Sequence, residues 1–509
     1  MLKIRENDLL ILFVLALIAN FLPLGITPLF DLDEGAFSEA TREMLVSKNY
    51  ITTYLNGELR FDKPILIYWL ELLSVKIFGV HTFSFRLPSA IAGTLWVLFT
   101  YFFTKKYFDK KSAFYAALFM LSALQITIIS KAAIADALLN LFIALSMFCF
   151  YGYYKERKKH YLYTTFLFIA LGFLTKGPVA IMIPFVVSFI FLLYKKEFGF
   201  WLKSIFNPIG LLIFIVVGLP WYILEYQEQG SLFIDGFFFK HNLSRFGSSM
   251  ENHSGKFYYY VIVLLIGLMP FSLMFFKSLT HVKKFIKDDL TLFLLIWFGF
   301  VFLFFSFSGT KLPHYIIYGY TPVFILVAIG FEKNFMRQTL LLVLIFFTMF
   351  LLFFPEIAVA IKSIVHDKFV VVLIENVYSG FGWFYHVSVL ALLGIFIWLY
   401  KKELSIKHTA VVIAFTFTIL VNYAILPAYG KLMQLPIKKA ALFAKEQGYH
   451  VKMHTRQFPS FNVYYQGLTS KEKAKEGDVV FCKVTSLDRY KKYETLYKEN
   501  GFTLIRIEK

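Results

Sequence analysis

Apolar stretches recur along the whole chain, separated by short polar connections. Many are long enough, at roughly 18–20 residues, to cross a bilayer as helices. The pattern predicts thirteen membrane spans, the first over residues 9–27 and the last over 408–426. Pro23 and Pro28 close the first, and no small-residue cleavage site follows it, so it reads as a retained helix rather than a signal peptide. Two connections break the rhythm. Residues 32–85 contain two further helical patterns, "EATREMLVSKN" and "PILIYWLELLSVKIFGV", the second behind a proline start; both read as amphipathic helices lying along the membrane face. Residues 226–256 form a polar and aromatic loop. After the last span the composition turns ordinary. There "IKKAALFAKEQG" predicts a helix, "HVKMHT" and "DVVFCKV" strands, "LDRYKKYETLYKENG" a helix and "FTLIRIE" a strand. The chain thus reads as an all-α polytopic membrane domain over 1–428 and a small external α/β domain over 429–509.

Charge fixes the expected orientation. With Lys3 and Arg5 in the cytoplasm, every second connection is cytoplasmic too, and these hold twenty-two Lys and Arg together with the N-terminus. The short external connections carry one lysine each: Lys131, Lys176 and Lys311. An odd number of spans then puts the C-terminus outside. This is the expected topology of a multi-pass inner-membrane protein with a periplasmic tail. The net charge of +19 is accounted for by these basic loops, so no nucleic-acid partner is implied. The only cysteines, Cys149 and Cys482, lie in a span and in the tail and suggest neither a disulfide nor a metal cluster.

The candidate chemistry collects on the external side. "DLDEGAFSEATREML" places Asp31, Asp33 and Glu34 where the first span emerges, with Glu39 and Glu43 expected as surface charges further along. "RFDKP" supplies Asp62 and Lys63; "SKAAIADALL" supplies Lys131 and Asp136; "LTKGP" supplies Lys176. "FKHNLSRF" adds His241 and Arg245, and "GTKLPHY" adds Lys311, His314 and Tyr315. Charges at the edge of hydrocarbon are costly and call for partners. Cations converging beside carboxylates suit an anionic lipid headgroup: lysine and arginine hold phosphate oxygens and stabilise a departing phosphate, and a carboxylate orients or deprotonates an attacking hydroxyl. Taken singly, each residue also has a plain reading as a solvated or snorkelling interface group. A transporter or lipid flippase is the rival from another class. It would place charges and broken helices near the midplane, often in repeated halves, and the spans here are nearly free of charge. A structural membrane protein would not need converging external lysines.

The stretch from Asp33 to Gly93, followed in order by "LTKGP", "GLPWY" and "KLPHY", resembles the bacterial GT-C glycosyltransferases, the group of the aminoarabinose transferases that modify lipid A and of the protein O-mannosyltransferases. The resemblance spans about residues 9–430. It implies inverting transfer of a sugar from a polyprenyl-phosphate donor at the external face of the inner membrane. The acceptor would be lipid A, another envelope glycolipid or glycan, or, as the alternative, Ser/Thr of a protein. By resemblance Asp33 is the essential aspartate and Asp136 the second acidic residue, while Lys63, Lys176, Arg245 and Tyr315 lie near donor phosphate. Glu34, Asp62, Lys131, His241, Lys311 and His314 complete the expected substrate-binding set. No cofactor is required by default, and a divalent metal is compatible with the sequence. The family pattern Asp-Glu-x-Arg-Tyr has Ala36 and Phe37 here at its last two positions, and Glu-Lys-Pro-Pro has Asp62 and Ile65 at its first and last.

Overall fold

The computed structural model describes residues 8–243 and 258–508, without the side chains of 241–243 and 334. It is a helical membrane bundle with a small sheet domain at its C-terminal end. A helix, continuous or broken, lies over each of the thirteen apolar stretches. Among the described residues, five helices are individually long and apolar enough to cross a membrane, including Thr82–Tyr107 and Asp136–Glu156, and the number rises to seven if each of two bent pairs is one span.

The two ends of the bundle are chemically distinct. At one end the basic connections pair with one another: Arg157 with Glu197 and Lys195 with Asp289, while Lys407 and Lys110 both reach Asp8. At the other end lie residues 29–85, the turns carrying Lys131, Lys176 and Lys311, and the C-terminal domain.

In the external connection, helices form over Asp33–Ser47 and Leu66–Phe78, with a small hairpin between them, β1 (Tyr54–Leu55) and β2 (Glu58–Leu59). Asn56 and Gly57 make its turn with φ of 53° and 77°, the left-handed pair that a two-residue hairpin requires. The first helix departs from expectation. Every residue from Glu34 to Met44 is buried, so it lacks the exposed polar face of an amphipathic surface helix. The helix Pro459–Tyr465 of the C-terminal domain packs across Gly35, where a Cβ would come within 2.5 Å of the Ser460 nitrogen. Glu39 and Glu43, expected as surface charges, are 0% and 8% exposed. Arg42 pairs with Glu39 through both carboxylate oxygens, at 2.7 and 2.6 Å, and Glu43 accepts the amides of Asn56 and Gly57.

The C-terminal domain has the sheet order β3 (Val451–Lys452), β4 (Val479–Lys483), β6 (Phe502–Ile507), β5 (Tyr493–Glu499), with β3 parallel to β4 and the other pairs antiparallel. The helix Leu435–Glu446 covers it. The stretch "LDRYKKYETLYKENG" is not one helix: its first part is a short 3-10 turn and its second is β5. Asn500 and Gly501, with φ of 46° and 81°, close a tight hairpin onto β6, and this turn overrides the helical propensity of the Lys and Glu residues before it. Cys149 and Cys482 are both free thiols.

Candidate active site

Asp33 is the first residue of its helix and is exposed. The hairpin's return strand leads directly into the residues beside it. Arg60 pairs with Asp62 at 3.0 Å and lies 5.7 Å above the Phe37 ring, while Lys63 pairs with the other Asp62 oxygen, also at 3.0 Å. Asp33 lies within electrostatic reach of Arg60. Arg60 stands in the "RFDKP" motif and joins the site beyond the residues expected from sequence.

Deeper on the same face lies a second set. Asp136 opens its helix and is 3% exposed. Its carboxylate accepts the Lys176 ammonium at 2.7 Å and the Tyr318 hydroxyl at 3.0 Å. Lys176 ends the helix Lys159–Lys176, where Gly177, at φ +76°, turns the chain out before Pro178 starts the next helix. A Cβ at Gly177 would come within 2.7 Å of the Phe237 ring, and one at Gly236 equally close to Phe61. These close approaches bring the segment leading to His241 against both "RFDKP" and "LTKGP". Tyr318, one turn beyond Tyr315, is a partner outside the residues expected from sequence. The Lys176 ammonium sits 5.9 Å from the Tyr315 ring and 5.6 Å from that of Tyr318. His314 joins the two sets, within electrostatic reach of Asp136, Lys176, Asp33 and Lys63. Gln125 steadies this turn by donating to the Pro313 carbonyl at 2.6 Å.

Seven of the expected residues therefore converge: Asp33, Asp62, Lys63, Asp136, Lys176, His314 and Tyr315. Others do not join them. Glu34 accepts four hydrogen bonds, from Arg86 Nε and Nη2 at 2.8 and 2.7 Å and from the amides of Phe30 and Ala133 at 2.9 and 2.8 Å. Those donors fill its acceptor positions, so Glu34 ties together the first span, the next helix and the turn before Asp136 instead of facing a substrate. Lys131 is buried behind this pair, with its ammonium on the carbonyls of Ala19 and Thr127. Lys311 turns back onto the Ser308 carbonyl at 2.8 Å. Arg245 and the side chain of His241 lie outside the described residues. Among the described residues no three His, Cys, Asp or Glu side chains gather as a metal-binding set.

Residues 62–224 match the family model described as dolichyl-phosphate-mannose-protein mannosyltransferase. An uncharacterized protein of Aquifex aeolicus is 33% identical over 347 residues, which is 67% of this chain and 79% of that protein. The undecaprenyl phosphate-alpha-4-amino-4-deoxy-L-arabinose arabinosyl transferase of Wigglesworthia glossinidia brevipalpis is 30% identical over 467 residues, 86% of this chain and 79% of that one. The chain belongs to the aminoarabinose-transferase family of GT-C glycosyltransferases. The fold agrees: ArnT from Cupriavidus metallidurans, in a crystal structure bound to undecaprenyl phosphate, superposes with a TM-score of 0.83 at 17% identity over 98% of both chains. The transferase is accordingly a multi-pass membrane enzyme that takes sugar from a lipid-linked donor. Its charged cluster lies at the end of the bundle opposite the basic connections.

Proposed function

We propose that the chain moves a 4-amino-4-deoxyarabinose-type sugar from undecaprenyl phosphate to lipid A at the periplasmic face of the inner membrane, by a single inverting displacement. The observation that carries the reading is the exposed Asp33 within electrostatic reach of Arg60, gathered around His314 with Lys63 and Lys176, while the carboxylates of Asp62 and Asp136 hold these cations in place. Relatives named for this donor support the choice of sugar and lipid. Lys63 and Lys176 hold the leaving polyprenyl phosphate, and Arg245 is assigned to the same task. Tyr315 and His314 line the approach. Asp136 orients Lys176 and Tyr318. Asp33 deprotonates an acceptor hydroxyl, or positions a lipid A phosphate that needs little deprotonation. The lysines meet the charge on the leaving phosphate, so the proposed mechanism invokes no metal.

The topology belongs to the same reading: thirteen spans, the N-terminus in the cytoplasm, and a periplasmic domain over 429–509 after the membrane domain 1–428. Lys311 and Lys131 are left to structural roles. Transfer to protein Ser/Thr is the second reading, favoured by the mannosyltransferase description of the family model over 62–224. Mass spectrometry of lipid A and of surface glycoproteins from a strain lacking this chain decides between them. Loss of the amino sugar from lipid A supports the first reading. Intact lipid A with unglycosylated proteins replaces it with the second.

A further inference from the structure

Five hydrogen bonds hold the segment that delivers Asp33, and four of them come from the C-terminal domain. The Leu29 amide donates to the Tyr464 hydroxyl at 2.8 Å, and the Asp31 amide to the Gln434 side chain at 3.4 Å. The Asp31 carboxylate accepts both the Ser460 amide, at 2.9 Å, and the Ser460 hydroxyl. The Phe30 amide is held from within the segment, by Glu34 at 2.9 Å. On the far side of Asp33 the same domain grips the hairpin: Asn462 donates to the Asn56 side chain at 2.8 Å, and Asn56 donates to the Thr469 carbonyl at 2.8 Å. The absence of a side chain at Gly35 lets Asp31 and Ser460 meet, because a Cβ there would fall 2.2 Å from the Asp31 oxygen.

We propose that Ser460, through Asp31, is a positioning residue for sugar transfer: the C-terminal domain latches the start of the Asp33 helix and so sets Asp33 in place for the acceptor. The inference rests on the assignment of Asp33 as the acting carboxylate. Asp31 is two residues from Asp33, on the segment that leads into the same first helical turn, and a displacement there moves the exposed carboxylate directly. Small misplacements of a catalytic group cost far more in rate than in binding. Burial pushes the Asp31 carboxyl up to about 6, and the two Ser460 donors oppose that rise; Arg456 and Glu34 are the charged groups that face it. The latch therefore holds best when Asp31 is ionised, and it slackens as pH falls through that value.

The test is kcat and donor KM across pH for purified full-length wild type, Ser460→Ala, Ser460→Thr and Asp31→Asn, with binding of undecaprenyl phosphate as a check on folding. Ser460→Ala should lose about tenfold in kcat, in line with one charge-assisted hydrogen bond, with donor KM and lipid binding unchanged. Its acid limb should move to higher pH, because the carboxylate has lost a donor. Ser460→Thr should restore both. Asp31→Asn keeps an acceptor for Ser460 but no longer titrates, so its acid limb near pH 6 should flatten. Wild-type kcat and an unmoved profile in Ser460→Ala overturn the proposal. A loss of kcat with an unmoved profile and a lowered thermal midpoint also overturns it, since the contact is then merely structural. An active Asp33→Asn variant instead overturns the assignment of Asp33 and is read separately.

Discussion

Glu34→Gln separates a structural carboxylate from its catalytic neighbour. Glu34 stands next to Asp33 in sequence, yet its oxygens are filled by Arg86 and two amides. Arg86 is buried, and its remaining donors already serve the carbonyls of Leu24, Thr27 and Pro28, at 2.9 to 3.0 Å. Neutralising Glu34 leaves that guanidinium without its counter-charge. It also turns an amide NH2 toward two groups that can only donate. Breaking a buried pair by removing one partner costs about 3–5 kcal/mol. The assay is thermal unfolding of wild type and Glu34→Gln in one detergent at one scan rate, since membrane-protein unfolding is rarely reversible, together with undecaprenyl phosphate binding below the midpoint. The variant should unfold at clearly lower temperature, while the folded fraction binds the lipid as wild type does. A wild-type midpoint with lost lipid binding would refute the structural role and return Glu34 to the substrate.

Lys63→Ala and Lys176→Ala should each weaken undecaprenyl phosphate binding roughly ten- to a hundredfold, the value of one charge-assisted contact; Lys311→Ala, whose ammonium is spent on the Ser308 carbonyl, should leave binding unchanged. Titration calorimetry in detergent reads both. Glu71 is fully buried, with one oxygen accepting Thr41 at 2.7 Å and the other unpartnered, and burial pushes its carboxyl up to about 8. The folded chain thus keeps a proton that the unfolded chain has already lost. Glu71 stabilises the fold at low pH, and this contribution drains away at roughly 1.4 kcal/mol per unit as pH rises from about 4.5 to about 8. Thermal midpoints should fall over that window in wild type, and Glu71→Gln should remove this part of the fall.

Hydropathy and basic loops were readable because lipid imposes them locally: each apolar stretch is a helix, and the basic connections meet at one end. The convergence of "RFDKP", "LTKGP" and "KLPHY" on Asp33 followed from placing short motifs on one side of a membrane. What stayed hidden depends on contacts between distant parts of the chain. Glu39 and Glu43 look like solvated charges until the C-terminal domain covers their helix. Lys131 and Lys176 look alike in sequence, a lone lysine in a tight external turn, and only packing sends one behind Arg86 and the other onto Asp136. Ser460 lies 429 residues from its partner Asp31. The strand β5 was within reach: Asn-Gly between two runs of β-formers marks a hairpin, here as at Asn56-Gly57.

The central claim is that Asp33 acts on the acceptor of the sugar while the lysines hold the lipid phosphate. Its most direct measurement is sugar transfer from purified undecaprenyl-phosphate-linked aminoarabinose to lipid A in detergent, comparing wild type with Asp33→Asn and measuring undecaprenyl phosphate binding alongside. The account predicts product from wild type, none from Asp33→Asn, and equal lipid binding by the two. Transfer by Asp33→Asn at the wild-type rate would contradict it.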